Sequence, residues 1–242
     1  MTAALSLGVA SGAQLITNGS FESGNLNGWS VVDQANGSGS WLAYQNGTPL
    51  PFSTLSGIEF GTRPPQNGSG QYVATTDGFG NGSHVLYQMI VVPAGATSIT
   101  IAFDYFLANQ HSSYLTPNSL DFGVGPNQQA RVDIMGTGWN PGADAFSLAA
   151  VFTNLFQTAA GTPLIMSAFQ SLSVTIPISP GTYYLRFAEV DNQMIFNFAI
   201  DNVSVTTGDA PPPTGEIPEP STWAMLGLGL GGLLFRGTRK SA

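Results

Sequence analysis

The feature that most constrains this chain is a recurrence of short apolar, β-branched runs cut apart by glycine, proline and asparagine. Runs at 71–76, 85–92, 98–107, 120–124, 130–135, 172–176, 183–189 and 196–206 read as strands, because β-branched and aromatic side chains suit a pleated, half-buried surface. Turn signals separate them: Asn67-Gly68, the glycine-rich stretch 78–82, Pro93-Ala94-Gly95 and Pro180-Gly181. Glycine and asparagine tolerate the positive φ that tight turns need, and proline presets a turn's first corner. Strands recurring at this spacing predict an all-β fold, an antiparallel β-sandwich of the jelly-roll kind. Six Asn-x-Ser/Thr sequences, at Asn18, Asn36, Asn46, Asn67, Asn81 and Asn202, read as tight turns of that fold. One segment departs from the pattern. Residues 144–157 carry apolar side chains near a 3.6-residue period, which predicts a short helix over a sheet edge or end.

Composition supports a folded chain. Hydrophobic residues make up 43%, with 15 Phe and 7 Tyr, enough for a sizeable core. Charged residues are only 8%, against about 25% in an ordinary soluble protein. Net charge is −8, and Arg236, Arg239 and Lys240 supply half of the six cations, leaving Arg63, Arg131 and Arg186 for the body of the chain. A nucleic-acid partner is therefore not expected, since phosphate binding needs a basic patch. There is no cysteine, which excludes disulfides, thiolate metal sites and a cysteine nucleophile.

The C-terminal end has three parts in order. Pro218, Glu219 and Pro220 come first, an uncharged apolar run at 223–235 follows, and Arg236, Arg239 and Lys240 close it. The run is shorter than the roughly 20 residues of an ordinary membrane-crossing helix, so snorkelling of the basic residues or local thinning must complete a single transmembrane helix. Positive charge is retained on the cytoplasmic side, which places the bulk of the chain outside. Gly227, Gly229 and Gly232 match a dinucleotide fingerprint in letters only, because no strand precedes them. This tail resembles the PEP-CTERM sorting signal of exopolysaccharide-producing Gram-negative bacteria. The resemblance implies transient anchoring in the inner membrane, recognition and removal of the tail by an exosortase-type membrane protease, and a destination at the cell surface or in the extracellular matrix.

Residues 1–13 are apolar and end in small residues, as the remnant of a signal peptide would. Residues 14–207 are expected to form the β-sandwich domain, 208–217 a proline-rich linker and 218–242 the sorting and anchor segment. Two motifs bracket the domain. It opens with Asn18-Gly19-Ser20-Phe21-Glu22 followed by Trp29, and closes with Ala199-Ile200-Asp201-Asn202-Val203-Ser204. Together they resemble galactose-binding-like jelly rolls, including carbohydrate-binding modules. That resemblance implies a sandwich with its first and last strands side by side. It also implies a structural calcium held by Glu22 and Asp201, with backbone carbonyls completing the oxygen ligands that calcium prefers.

Sugar sites stack rings on open aromatic faces beside polar side chains. Trp41, Tyr44 and Trp139 lie in Gly- and Asn-rich stretches and are the candidate glycan contacts. Catalysis is not expected. His84 and His111 are far apart and read as solvated loop residues, and no metalloprotease, serine-hydrolase or phosphate-loop motif is present. The expectation is a non-catalytic surface or matrix protein that binds exopolysaccharide or another glycan. The alternative is a secreted glycan-active hydrolase using two carboxylates drawn from Glu59, Asp104, Asp121, Glu189 and Asp191.

Overall fold

A computed structural model describes residues 12–45, 70–77, 80–161 and 169–208. The chain divides into two units, 1–209 and 210–242. The expected tail, the linker beyond Gly208 and residues 1–11 lie outside the described residues, as does Glu59.

Two five-stranded antiparallel sheets form the first unit. One runs β1 (Ser30–Asp33), β4 (Gly82–Val92), β9 (Gly181–Asp191), β6 (Gln128–Met135) and β7 (Val151–Gln157). The other runs β2 (Trp41–Gln45), β3 (Tyr72–Thr76), β10 (Phe196–Gly208), β5 (Ser98–Asn109) and β8 (Gln170–Pro177). Alternation along the strands builds the core. Leu86 and Ile90 of β4, Leu185 and Phe187 of β9, and Phe198 and Ile200 of β10 all point between the sheets and are fully buried. This is the expected all-β sandwich.

The turn chemistry acts as anticipated. Pro93-Ala94-Gly95 closes with Ala96 N–H donating to Pro93 O, and Gly95 takes φ +88°. Asn18 and Asn36 adopt φ of 50° and 68°, the left-handed conformation that asparagine tolerates better than most residues, whereas Asn202, expected in a turn, takes φ 50° at the bulge inside β10. The first and last described segments of the sandwich meet as expected. Leu15 N–H donates to Val205 O at 2.8 Å, Val203 N–H to Gly19 O at 2.9 Å, and Gln14 bridges Thr206. Ala13 already belongs to this seam, since Thr207 N–H donates to its carbonyl.

Three expectations are corrected. The helix at 144–157 reduces to a single turn, α1 (Pro141–Asp144), capped by Asn140, whose side chain accepts from Gly142 N–H. Residues 151–157 are instead the edge strand β7. Its pairing with β6 shifts register twice, and each shift adds a residue that upsets strict alternation and imitates a helical period. Residues 120–124 form a turn tied by Val124 N–H to Asp121 O. Trp41 and Tyr44, read as loop residues, lie on strand β2.

Candidate functional site

The seam between the chain ends carries the first cluster. Asp201 stands opposite Asp104 in the β10–β5 register, immediately before a bulge. Its Oδ1 accepts from Asn202 N–H at 2.7 Å, while its Oδ2 is buried with no hydrogen-bond partner. Asp104 Oδ2 accepts from Asn202 Nδ2 at 2.8 Å. Burial pushes the Asp201 carboxyl up to about 7, with the charges of Glu22 and Asp104 adding to the shift and the Asn202 N–H opposing it. Glu22 lies across the seam, accepting from Gln71 N–H at 2.9 Å and Tyr72 N–H at 3.2 Å. Gly70 leaves room for that carboxylate, because a Cβ there would stand 1.7 Å from Glu22 Oε1. An orphaned, desolvated carboxylate oxygen close to two more carboxylates fits an oxygen-seeking cation. The exposed Glu22 and the buried Asp201 would hold it, and it would supply positive charge beside the buried Asp201 carboxylate.

The structure buries all three aromatic candidates. Trp41 is 4% exposed and meets Phe198 edge-on at 5.5 Å. Tyr44 is buried in a small cluster with Phe106, Ala108 and Phe169. Trp139 is wedged against Tyr87 and Tyr184, each at 5.2 Å, with the Arg186 guanidinium over its ring at 5.6 Å. Rings packed this way have no face free for a pyranose. Pairing within the sheets places Trp41 and Tyr44 on β2 and turns their rings inward.

Trp139 nevertheless lies on the wall of an open groove of about 510 Å³, lined also by Thr137, Asp144, Ser147, Ala149 and Phe152. Phe152 is the open ring, 49% exposed and borne on the edge strand β7. It also borders a second groove, beside Tyr183, Pro177 and Pro180. The sequence reading missed Phe152 because it assigned the segment to a helix.

Behind the groove lies a buried ion-pair network. Arg186 Nη2 donates to Asp133 Oδ2 at 2.7 Å, both side chains fully buried, and Nη1 donates to the carbonyls of Ala145 and Ser147. Arg131 Nε donates to both oxygens of Asp133, at 2.8 and 2.9 Å. Burial lowers the Arg186 pKa, while the Asp133 charge opposes that shift. The two Arg186 bonds to carbonyls fix the 145–147 rim of the groove.

His84 is not a solvated loop residue. It lies within β4, 3% exposed, and its Nδ1 is 2.8 Å from Asp33 Oδ1. The β4–β9 register places it opposite Glu189, with Gly82 opposite Asp191. His111 does remain in a polar loop, its Nδ1 2.7 Å from Ser113 O. Of the carboxylates considered for a hydrolase, Glu189 and Asp191 come together in the interior, while Asp104 and Asp121 lie apart. Asp121 accepts from Gln34 Nε2 at 2.6 Å and from Gly123 N–H.

Residues 216–240 match the family model of the PEP-CTERM protein-sorting motif. The chain carries this sorting signal. The PEP-CTERM match contains Pro218, Glu219, Pro220, Arg236, Arg239 and Lys240. It marks the chain for export and membrane-associated sorting, and it implies an exosortase-type processing partner. Among the described residues no helix is long and apolar enough to cross a membrane, and the expected transmembrane segment lies outside them.

No curated protein matches the sequence. Among solved structures, the K1 cleaved adhesin domain of Lys-gingipain from Porphyromonas gingivalis W83 is similar at 15% identity and a TM-score of 0.47, over 81% of this chain and 99% of that one. TmCBM61, solved in complex with β-1,4-galactotriose, is similar at 11% identity and a TM-score of 0.45, over 81% and 99%. Tailspike protein 4 of bacteriophage CBA120, in its enzymatically active domain, is similar at 10% identity and a TM-score of 0.41, over 81% of this chain. The match spans only 21% of the tailspike chain. These likenesses concern the path of the chain and assign no ligand to this protein.

Proposed function

We propose that this protein is a non-catalytic component of the cell surface or exopolysaccharide matrix. Exosortase-type processing of its PEP-CTERM tail would deliver it there, and it would hold glycan in the groove between Trp139 and Phe152. The observation that carries this reading is the sorting motif at 216–240, because a protein so addressed works outside the cytoplasm among envelope polymers. The groove supplies what a sugar needs. Phe152 offers an exposed apolar ring, and Asp144, Ser147 and Thr137 offer hydroxyl-binding groups around it. Calcium at Glu22 and Asp201 would tie the chain ends in a protein that has no disulfides.

The test is retention of the full chain on exopolysaccharide from the source organism. Phe152→Ala is expected to weaken retention by about ten-fold, the scale of one lost aromatic contact, with the fold intact. Release of reducing ends from the polymer would instead favour the hydrolase. Equal retention of wild type and Phe152→Ala would remove the groove from the account and leave the sorting assignment standing.

A further inference from the structure

We propose that His84, Glu189 and Asp191, with Asp77 beside them, form a buried site for a divalent transition cation of the zinc type. This goes beyond the surface-protein reading and does not depend on it. His84 shares a face of β4 with Leu86 and Ile90, and Glu189 and Asp191 share a face of β9 with Leu185 and Phe187. Strand pairing thus brings the three side chains to one end of the space between the sheets. Each is at most 3% exposed, and their ligand atoms all lie within 4.8 Å of one another. Ligands about 2.0–2.2 Å from a zinc ion stand roughly 3.5 Å apart, a spacing within that bound.

Two independent features point to a cation. The first is an orphan: Glu189 Oε1 is buried with no hydrogen-bond partner, a costly state for a carboxylate unless something absent from the protein satisfies it. The second is the histidine's outer partner. Asp33 Oδ1 lies 2.8 Å from His84 Nδ1, and an accepting carboxylate there puts the ring proton on Nδ1. Nε2 is left with its lone pair, the arrangement in which metal-binding histidines are held. The backbone packs closely against these atoms: a Cβ on Gly82 would stand 2.4 Å from His84 Nε2, and one on Gly39 would stand 2.5 Å from Asp77 Oδ1, so both positions require glycine.

The charge balance agrees. Asp77 is close enough to act electrostatically on both Glu189 and Asp191. The two described arginines are committed to Asp133. Glu189 and Asp191 are two buried carboxylates gathered on one imidazole, and a divalent ion would balance their charge. One nitrogen and several oxygen donors suit zinc better than calcium, which takes oxygen ligands. Bound there, the ion would join β4 and β9 of one sheet to the residue following β3 of the other.

The test uses the full chain, stripped by chelator and titrated with cobalt(II), a zinc surrogate with visible d–d absorption. One ion per chain is expected to bind with such bands. Zinc should displace it and calcium should not. Asp33→Asn keeps every metal ligand and is expected to lower cobalt affinity by about 10–100-fold. His111→Gln is expected to leave the bands unchanged, and His84→Gln to abolish them. Absence of bands in the wild type, or full-strength bands in folded His84→Gln, overturns the proposal. Should His84→Gln fail to fold, X-ray absorption at the cobalt edge of the His111→Gln complex decides. An imidazole in its coordination shell supports the site, and a shell without one overturns it.

Discussion

Side chains of the same type do opposite work here according to their burial. Trp41 fills the core against Phe198, whereas Phe152 stands half in solvent on a groove. Trp41→Ala is therefore expected to cost about 3–5 kcal/mol, measured by urea unfolding, while Phe152→Ala should change stability by no more than about 0.5 kcal/mol. Asp133 illustrates the cost of a broken buried pair. Asp133→Ala strands the Arg186 guanidinium and is expected to destabilise the protein by about 3–5 kcal/mol. The buried carboxyls predict an unusual acid profile for the metal-free protein. Asp201 and Asp191 are both pushed up to about 7, chiefly by burial, and Glu189 is raised well above its ordinary value for the same reason. A carboxyl raised on folding binds its proton more tightly in the folded state, so its contribution is complete below about pH 4 and lost as pH rises through about 7. In chelator, the melting temperature should fall between pH 4 and pH 7. A flat or rising curve over that range would contradict these assignments.

Among elements, β7 is the most instructive. Its sequence, Val-Phe-Thr-Asn-Leu-Phe-Gln, places apolar residues on both faces. The register steps from Val132↔Phe156 to Asp133↔Asn154, and from Ile134↔Thr153 to Met135↔Val151, leaving Leu155 and Phe152 as the extra residues. A bulge re-aims the side chain it carries, and in this strand it turns Phe152 outward beside the groove. Asn154 stitches the first bulge, its Nδ2 donating to Val132 O, Asp133 Oδ1 and Phe156 O. Asn154→Ala should cost about 1 kcal/mol and speed amide exchange within β7 more than within β9. Strict alternation and turn residues made β3 to β6 and β8 to β10 legible from sequence, whereas bulges hid β7. Strand β1 is only four residues long and half exposed, too brief for a pattern. The opening and closing motifs located the Glu22–Asp201 seam, since both belong to contiguous local sequence. The His84 cluster was not legible. His84 and Glu189 are joined by strand register across about a hundred residues, and nothing local to either announces the other.

At the scale of the whole molecule, a cysteine-free chain must hold together outside the cytoplasm by packing and by what it binds. The sandwich supplies an extensive aromatic core, and the seam at 13–19 and 203–207 ties its ends with backbone hydrogen bonds. Calcium is expected to raise the melting temperature of wild type and not of Asp201→Ala. Equal gains in both would remove calcium from that seam. On the function proposed above, the tail addresses this protein to an exosortase-type protease and thence to the surface. The most direct measurement is the intact mass of the protein recovered from the outside of cells that carry such a protease. The mature form is expected to lack the apolar run at 223–235. A surface form that retains 223–235 would contradict it.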